Sequence, residues 1–343
     1  MPIEPMGRVA VVILNYNGEE MLGRFLPTVV ENTPGADIVV VDNASTDSSV
    51  ALVKERFPAV RLIVLDRNYG FADGYNKAMA MVDAEYALLL NSDVEVTPGW
   101  LEPLVEALDA DSGIAACQPK VLDYKRKAFF EYAGAAGGFI DRYGYPFCRG
   151  RIFETVEEDK GQYDDVADVF WATGAAMLVR TAVYREVCGL DGRFFAHMEE
   201  IDLCWRMHAR GYRIVCVPGS RVYHVGGATL SSANPRKTYL NFRNNLLMLY
   251  KNLPAKELRG IMRVRRILDY VAAFKFALTG GFDHCMAVFR ARRDFRRVKK
   301  DYTAAREANL AATRIVDIKE RTAFLLLWRR YAKGEKFYSD LKY

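Results

Sequence analysis

In this 343-residue chain, polar side chains gather where apolar runs stop. Asn15-Tyr16-Asn17-Gly18 follows the run at 9–14, and Asp42-Asn43-Ala44-Ser45-Thr46-Asp47 follows the run at 38–41. Asn68-Tyr69-Gly70-Phe71-Ala72-Asp73-Gly74-Tyr75-Asn76 follows the run at 61–65, and Asn91-Ser92-Asp93 follows the run at 86–90. Carboxylates in such places accept hydrogen bonds and hold hard divalent cations, while amides both donate and accept. Further on, Glu199-Glu200 stands at the start of a predicted helix, and His224 lies in Val222-Tyr223-His224-Val225-Gly226-Gly227. A carboxylate can take a proton from a reacting hydroxyl, and an imidazole can ligate a metal. One polar segment after a strand is ordinary turn chemistry. Four in succession make a site if one sheet edge carries them all.

The elements between them supply that edge. Met21, Leu22, Phe25, Leu26, Val29 and Val30 recur at helical spacing. Ser45-Thr46-Asp47 offers N-cap chemistry for a helix ending at Arg56. Helices are predicted at 74–82 and 98–108, and a fifth strand at 114–118. Short apolar strands separated by amphipathic helices imply a mostly parallel sheet covered on both faces. Right-handed crossovers bring the post-strand loops to one edge, where such sheets bind ligands. After Pro119 the pattern breaks, and 124–165 reads as a long loop region or small insertion. A strand at 169–180, helices at 181–188 and 199–210, and a strand at 213–217 follow. Helices are expected at 239–253, 265–289 and 302–331.

Hydrophobic residues make up 51% and charged residues 27%, a globular rather than a disordered mix. No apolar stretch is long enough for a spanning helix, and the start of the chain lacks the pattern of a signal peptide. The 6 cysteines are scattered without a CxxC pair, which points to reduced thiols in a cytosolic protein and away from structural zinc. The net charge of +5 is uneven, with 13 Lys/Arg against 5 Asp/Glu between Ala255 and Asp301.

In their order, NYNG, VVVDNASTD, NYGFADGYN and LLLNSD resemble the family 2 inverting glycosyltransferases of the GT-A fold. The nearest likeness is to the bacterial rhamnosyltransferase and galactofuranosyltransferase-like branch, over residues 8 to about 245. The resemblance implies an α/β GT-A fold: a Rossmann-like, mostly parallel sheet flanked by helices, with a C-terminal helical extension. The catalytic domain is expected at 1–238, with a donor half at 8–118 and an acceptor half at 119–238. A helical, basic region is expected at 239–343. The implied reaction moves a sugar from a UDP- or dTDP-sugar to an acceptor hydroxyl. The acceptor would be a polysaccharide or lipid-linked glycan of bacterial cell-surface polysaccharide synthesis.

By the same resemblance, the donor meets Asn15, Tyr16, Asn17, Asp42, Asn43, Asn68, Gly70, Phe71, Gly74, Asn76, Asn91 and Ser92. Asp42 would accept from the pyrimidine N–H, as an acceptor-only carboxylate suits; a turn or capping aspartate looks the same in sequence. Asn15 and Tyr16 would flank the base. Gly70 and Gly74 would let backbone approach ribose and phosphate, or simply make a tight turn. Asn91-Ser92-Asp93 occupies the place of the family's DXD motif, with Asn for the first Asp. Asp93 and His224 would then hold Mn²⁺ or Mg²⁺, which neutralises the departing pyrophosphate. Glu200 would be the general base, with Glu where Asp is more common in the family. Glu199 would bind acceptor or serve the helix dipole. Asp202 and Arg206 read as an i,i+4 pair. Trp171, Thr173 and Gly174 would line the acceptor pocket, a core Trp being the alternative.

In the tail, Ile267, Val271, Phe274, Leu278, Met286 and Phe289 interleave with basic clusters at 263–266 and 290–300. Such helices lie in an anionic membrane interface. The alternative is a helical domain with a solvated basic face or a homodimer contact. Nucleic acid is not expected, because no recognition motif interleaves with the basic residues. A non-catalytic nucleotide-sugar binder is the competing reading, against which Asp93, Glu200 and His224 stand together. The expected location is cytoplasmic, peripheral on the inner face of the membrane.

Overall fold

The computed structural model describes residues 8–226 and 234–341. In chain order the first elements are β1 (Val9–Asn15), α1 (Glu19–Asn32), β2 (Asp37–Asp42), α2 (Ser49–Arg56), β3 (Arg61–Val64) and α3 (Gly70–Ala80). Next come β4 (Tyr86–Asn91), β5 (Val94–Val96), α4 (Glu102–Ala110) and β6 (Ile114–Asp123). Side chains alternate across β1, so Val9, Val11 and Ile13 pack with Leu22, Leu26 and Val29 of α1. Ala10 and Val12 face the other way, against Tyr75, Ala78 and Met79 of α3. Both faces are thus covered, and each fully buried Val, Leu or Ile contributes about 1.5–3 kcal/mol.

The segment expected as a loop region, 124–165, instead builds most of a second sheet. Its strands are β7 (Gly138–Asp141), β8 (Pro146–Cys148), β9 (Arg151–Ile152) and β10 (Thr155–Val156). They are too short for a period to show in sequence, and turns separate them. β11 (Ala167–Asp168), β12 (Ala176–Arg180), α5 (Thr181–Glu186), α6 (Glu199–Ala209) and β13 (Arg213–His224) follow. The expected strand at 169–180 is regular only in its second half. The described residues form a nine-stranded main sheet in the order β11-β13-β6-β12-β4-β1-β2-β3, with β5 on β13. β1, β2, β3 and β4 are parallel, whereas β12 inserts antiparallel between β4 and β6. The sequence ends one strand at Val217 because Pro218-Gly219 reads as a turn. The structure makes a bulge there and β13 runs on to His224, opposite Val94.

The C-terminal region contains α7 (Pro235–Asn252), α8 (Ala255–Leu278), α9 (Phe282–Val298), α10 (Thr303–Ala311), β14 (Arg321–Thr322) and α11 (Leu326–Tyr331). The single helix expected at 265–289 breaks at Gly280-Gly281, where Gly280 has φ 81°. The one expected at 302–331 is interrupted by a segment that contributes β14, paired parallel to β7. No described helix is long and apolar enough to cross a membrane.

A buried carboxylate locks α6 to α7. Asp202 accepts from Arg206 Nε at 2.9 Å, Lys251 Nζ at 2.9 Å and Asn252 Nδ2 at 2.7 Å. The i,i+4 pair read from sequence is therefore one edge of a tertiary network. Lys251 also meets Asp191 at 2.9 Å. Asp202→Ala leaves buried Arg206 without its carboxylate and Lys251 with Asp191 alone, and is expected to cost about 3–5 kcal/mol. Denaturant unfolding checks this, and a loss under about 1 kcal/mol would contradict the network's structural weight.

Candidate active site

Strand register assembles the first cluster. Asn15 pairs with Asp42 across β1 and β2, and Leu14 pairs with Asn91 across β1 and β4. Asn15 Nδ2 donates to Asp42 Oδ1 at 3.1 Å and to Ser45 Oγ at 3.2 Å. Asp42 Oδ2 accepts from Ser45 N at 2.8 Å, so the buried carboxylate is fixed at both ends. Asn15 Oδ1 is buried and has no hydrogen-bond partner among the described residues. Asn17, at φ 50°, accepts from Thr46 N at 2.7 Å and ties the first two polar segments together. Asn43 ties the second to the third, donating to Asn68 Oδ1 and Gly70 O and accepting from Tyr69 N. Tyr16 is 49% exposed, leaving its ring free to stack.

The second cluster centres on His224. Its Nε2 lies 3.1 Å from Asp93 Oδ1, and its Nδ1 lies 3.4 Å from Glu131 Oε1. All three side chains are buried. Asn91 Nδ2 stands 3.5 Å from the same Nε2. Burial opposes a charged imidazole, but Glu131 and then Asp93 outweigh it and push the His224 pKa up to about 10. Burial likewise opposes ionised Asp93, yet the His224 charge holds it below the ordinary carboxylate range. Adjacent ligands on a hard divalent cation, with bonds of about 2.1 Å, stand about 3 Å apart. The Asp93–His224 pair therefore fits one ion, with Glu131 orienting the imidazole from behind. No group of three or more His, Cys, Asp or Glu side chains among the described residues converges on one point. Among the described residues the candidate ion pocket is thus a pair of side chains, Asp93 and His224.

The third cluster is the start of α6. Oε2 of Glu199 and Oε2 of Glu200 are both buried without a hydrogen-bond partner among the described residues. Burial, then the charge of Glu200, raises the Glu199 pKa well above its ordinary value. Burial pushes Glu200 up to about 7. Glu199 lies deeper and keeps a proton more readily, so Glu200 is the member that ionises near neutrality. A Cβ placed on Gly174 would lie 3.1 Å from Phe71 Cζ and 3.9 Å from Glu200 Cβ. The next residue, Ala175, accepts from Asn91 N at 2.9 Å. Gly174-Ala175 thus joins the surroundings of Glu200 to the end of β4 that carries Asn91-Ser92-Asp93.

The Glycosyl transferase family 2 model matches residues 10–168, which span the first cluster, Asp93 and Glu131. An N-acetylglucosaminyl-diphospho-decaprenol L-rhamnosyltransferase of Mycobacterium tuberculosis is 26% identical over 229 residues, covering 62% of this chain and 75% of that protein. A rhamnosyltransferase of Escherichia coli is 24% identical over 225 residues, covering 63% and 83%. The chain is a glycosyltransferase, and its residues 10–168 match family 2. It is also similar to S. aureus TarS 1-349 in complex with UDP, with TM-score 0.56, 16% identity and coverage of 96% and 92%. A mannosyltransferase from Pyrobaculum calidifontis, in complex with GDP-Man and Mn²⁺, matches with TM-score 0.52, 15% identity and coverage of 91% and 89%. Those two likenesses place the fold.

Several expected ligand contacts of this glycosyltransferase turn out to be internal. Trp171 is no acceptor platform: it is 3% exposed, donates from Nε1 to Phe139 O at 2.9 Å and packs against Gly138. Thr173 is buried, accepts from Ala175 N through Oγ1 and has its own N–H on Gln118 Oε1. Gly70, Phe71, Gly74 and Asn76 all lie on α3, which starts at Gly70, ahead of the helix expected from residue 74. A Cβ on Gly70 would strike the Phe195 ring at 2.5 Å, and one on Gly74 would strike Leu14 at 2.9 Å. On their Cβ side these glycines leave room for protein side chains. Asn76 is spent on Leu190 and Tyr184. Gly227 lies outside the described residues.

Sequence reasoning missed Glu131. It sits in the stretch read as a loop, and a lone Glu carries no spacing signal. It also missed Asn244, whose Nδ2 reaches Phe194 O, Ala196 O and His197 O at 2.8–3.0 Å. In the metal-free enzyme, His224 is expected to stay protonated through neutrality and deprotonate near 10. Glu131→Gln removes the larger of its two stabilising charges and brings that titration down toward about 6.5. Ring-nitrogen NMR across pH reads both, and an unchanged titration in the variant would contradict the assignment.

Proposed function

We propose that the enzyme is an inverting, metal-dependent, non-processive sugar transferase. It takes a UDP- or dTDP-sugar and glycosylates a hydroxyl of a lipid-linked or polysaccharide glycan. The observation that carries this reading is the buried Glu200 carboxylate, raised to about 7 with its Oε2 unpartnered among the described residues, joined through Gly174-Ala175 to the strand end that bears Asp93. A base able to take a proton at neutral pH and a cation pocket for the leaving group are the two requirements of such a transfer.

In this reading Asp42 and the unpaired Asn15 Oδ1 receive the N–H of a pyrimidine, and Tyr16 covers its ring. Asn17, Asn43 and Asn68 hold these groups in place. Asp93 and His224 hold Mn²⁺ or Mg²⁺, with Asn91 and Ser92 beside them; a bound ion neutralises charge on the nucleoside diphosphate. Glu200 takes the proton of the acceptor hydroxyl as its oxygen bonds to the anomeric carbon. The bond from that carbon to the phosphate oxygen breaks, and the nucleoside diphosphate leaves with the electron pair. Glu199, protonated, donates a hydrogen bond to the acceptor. The name of the M. tuberculosis relative supports a rhamnosyl-type donor and a diphospholipid acceptor. The Mn²⁺ of the Pyrobaculum complex supports a divalent ion. The same reading puts the chain in the cytoplasm, on the inner face of the membrane.

Glu200→Gln is expected to lower turnover by about 10²–10⁴-fold while leaving donor binding intact. Undiminished turnover would remove Glu200 as the base, whereas donor binding without turnover in the wild type would favour a non-catalytic nucleotide-sugar binder. A base must be ionised to work, and the Glu200 pKa is raised, so activity should fall as pH drops through about 7. A kcat/KM profile flat from about pH 5 to 8 would contradict the role. A panel of UDP-, dTDP- and GDP-sugars, each with and without Mn²⁺, is expected to give metal-dependent thermal stabilisation by one pyrimidine donor only. No response to any pyrimidine nucleotide would remove the roles of Asp42 and Asp93.

A further inference from the structure

The hairpin of α8 and α9 carries two matched faces. Near the turn, Ile267, Val271, Phe274 and Leu278 form one exposed apolar stripe, and Phe282, Met286 and Phe289 form a second. Phe274, Leu278 and Phe282 are 65%, 71% and 67% exposed, more than isolated surface residues need be. Away from the turn, the same helical spacing continues as cations. Arg259, Arg263 and Arg266 on α8 and Arg292, Arg296 and Lys299 on α9 line one cleft of about 580 Å³. Buried Asp269 is already held by Arg265 and Arg292. Arg259, Arg263, Arg266 and Arg296 have no carboxylate ion pair among the described residues. Such a concentration of unneutralised cations repels itself unless an anion enters.

Tyr270 lines both it and an apolar groove of about 350 Å³ formed with Phe274, Ala277, Cys285 and Phe289. A charged cleft that shares a wall residue with an apolar groove matches an amphiphile, with its phosphate among the arginines and its hydrocarbon along the phenylalanines. We propose that the α8–α9 hairpin seats this enzyme on an anionic bilayer, its apolar tip in the headgroup region and its arginine cleft on lipid phosphates. The tip also carries Lys275, which lies over the Tyr331 ring, and Asp283 at the first turn of α9. These charges limit the depth to the interface, consistent with the lack of a spanning helix among the described residues.

This inference rests on the reading of an acceptor presented at a membrane, but its test does not need turnover. The full chain is floated at low salt with vesicles of phosphatidylcholine alone and of phosphatidylcholine with phosphatidylglycerol. Binding is expected to the anionic vesicles only. Each of Arg259→Gln, Arg263→Gln and Arg266→Gln should weaken partitioning by about fivefold. Phe274→Ser with Phe282→Ser should abolish it at moderate salt. Donor hydrolysis in solution stays unchanged in all of these variants, which shows that they are folded and keeps this test separate from the transferase reading. Absence of flotation, or equal flotation of wild type and variants, overturns the proposal. So does displacement from vesicles by inorganic phosphate at matched ionic strength, which assigns the cleft to free phosphate. A dimer closed through Phe274 and Phe282 that anionic vesicles do not dissociate also overturns it.

Discussion

Phe195, His197 and Met198 hold φ of 67°, 72° and 74° immediately before the acidic pair, a run that L-residues adopt only at a cost of roughly 1–2 kcal/mol each. The carboxamide of Asn244 opposes that cost by drawing the carbonyls of Phe194, Ala196 and His197 to one point. The same loop serves two other elements. Its Phe195 carbonyl accepts from Phe71 N at 2.8 Å, and its Phe195 ring occupies the space that Gly70 leaves. The helix beneath the first cluster, the helix that bears Glu200 and the helix that connects to the C-terminal hairpin therefore meet in five residues. The Asp202 network holds the far side of that junction. Glu199 and Glu200 can remain unpartnered because the backbone around them is fixed by groups other than their own.

Burial acts on the carboxylates of this site in opposite ways. Asp93 and Glu131 enclose an imidazole, which becomes a cation and keeps Asp93 ionised. Glu199 and Glu200 enter none of the ion pairs seen among the described residues, and desolvation drives them toward the neutral acid. One cluster thus retains negative charge beside a protonated imidazole. The other is built to hold or release a proton near neutrality. Residue type alone does not separate these behaviours; the company each carboxylate keeps does.

That distinction marks where sequence reasoning stops. The first four strands were legible because each is a continuous apolar run bounded by polar turns, and parallel pairing then sets Asn15 beside Asp42 and Asn91 beside Leu14. Asp93, Glu200 and His224 were singled out because each stands in a local motif. Trp171 and Asn76 were misassigned because a side chain in a site motif looks the same whether it faces ligand or protein. The β7–β10 strands were invisible at two to four residues each. Glu131 and Asn244 act only through partners far off in the chain, and a single sequence does not record such distances.

The pairing of β14 with β7 sets an order in time. Leu326 N donates to buried Asp141 at 2.8 Å, and Tyr338 N donates to Glu157 at 2.9 Å, across separations of 185 and 181 residues. The first four strands and their helices close through near neighbours and can collapse while the ribosome is still at work. The small sheet around Glu131 must wait for its last strand, an interval of about 10–40 s at ordinary elongation rates. A nascent chain of this enzyme would therefore acquire its nucleotide-facing surface long before the wall behind His224 is finished. During that interval the exposed edge of β7 is the segment most in need of a chaperone.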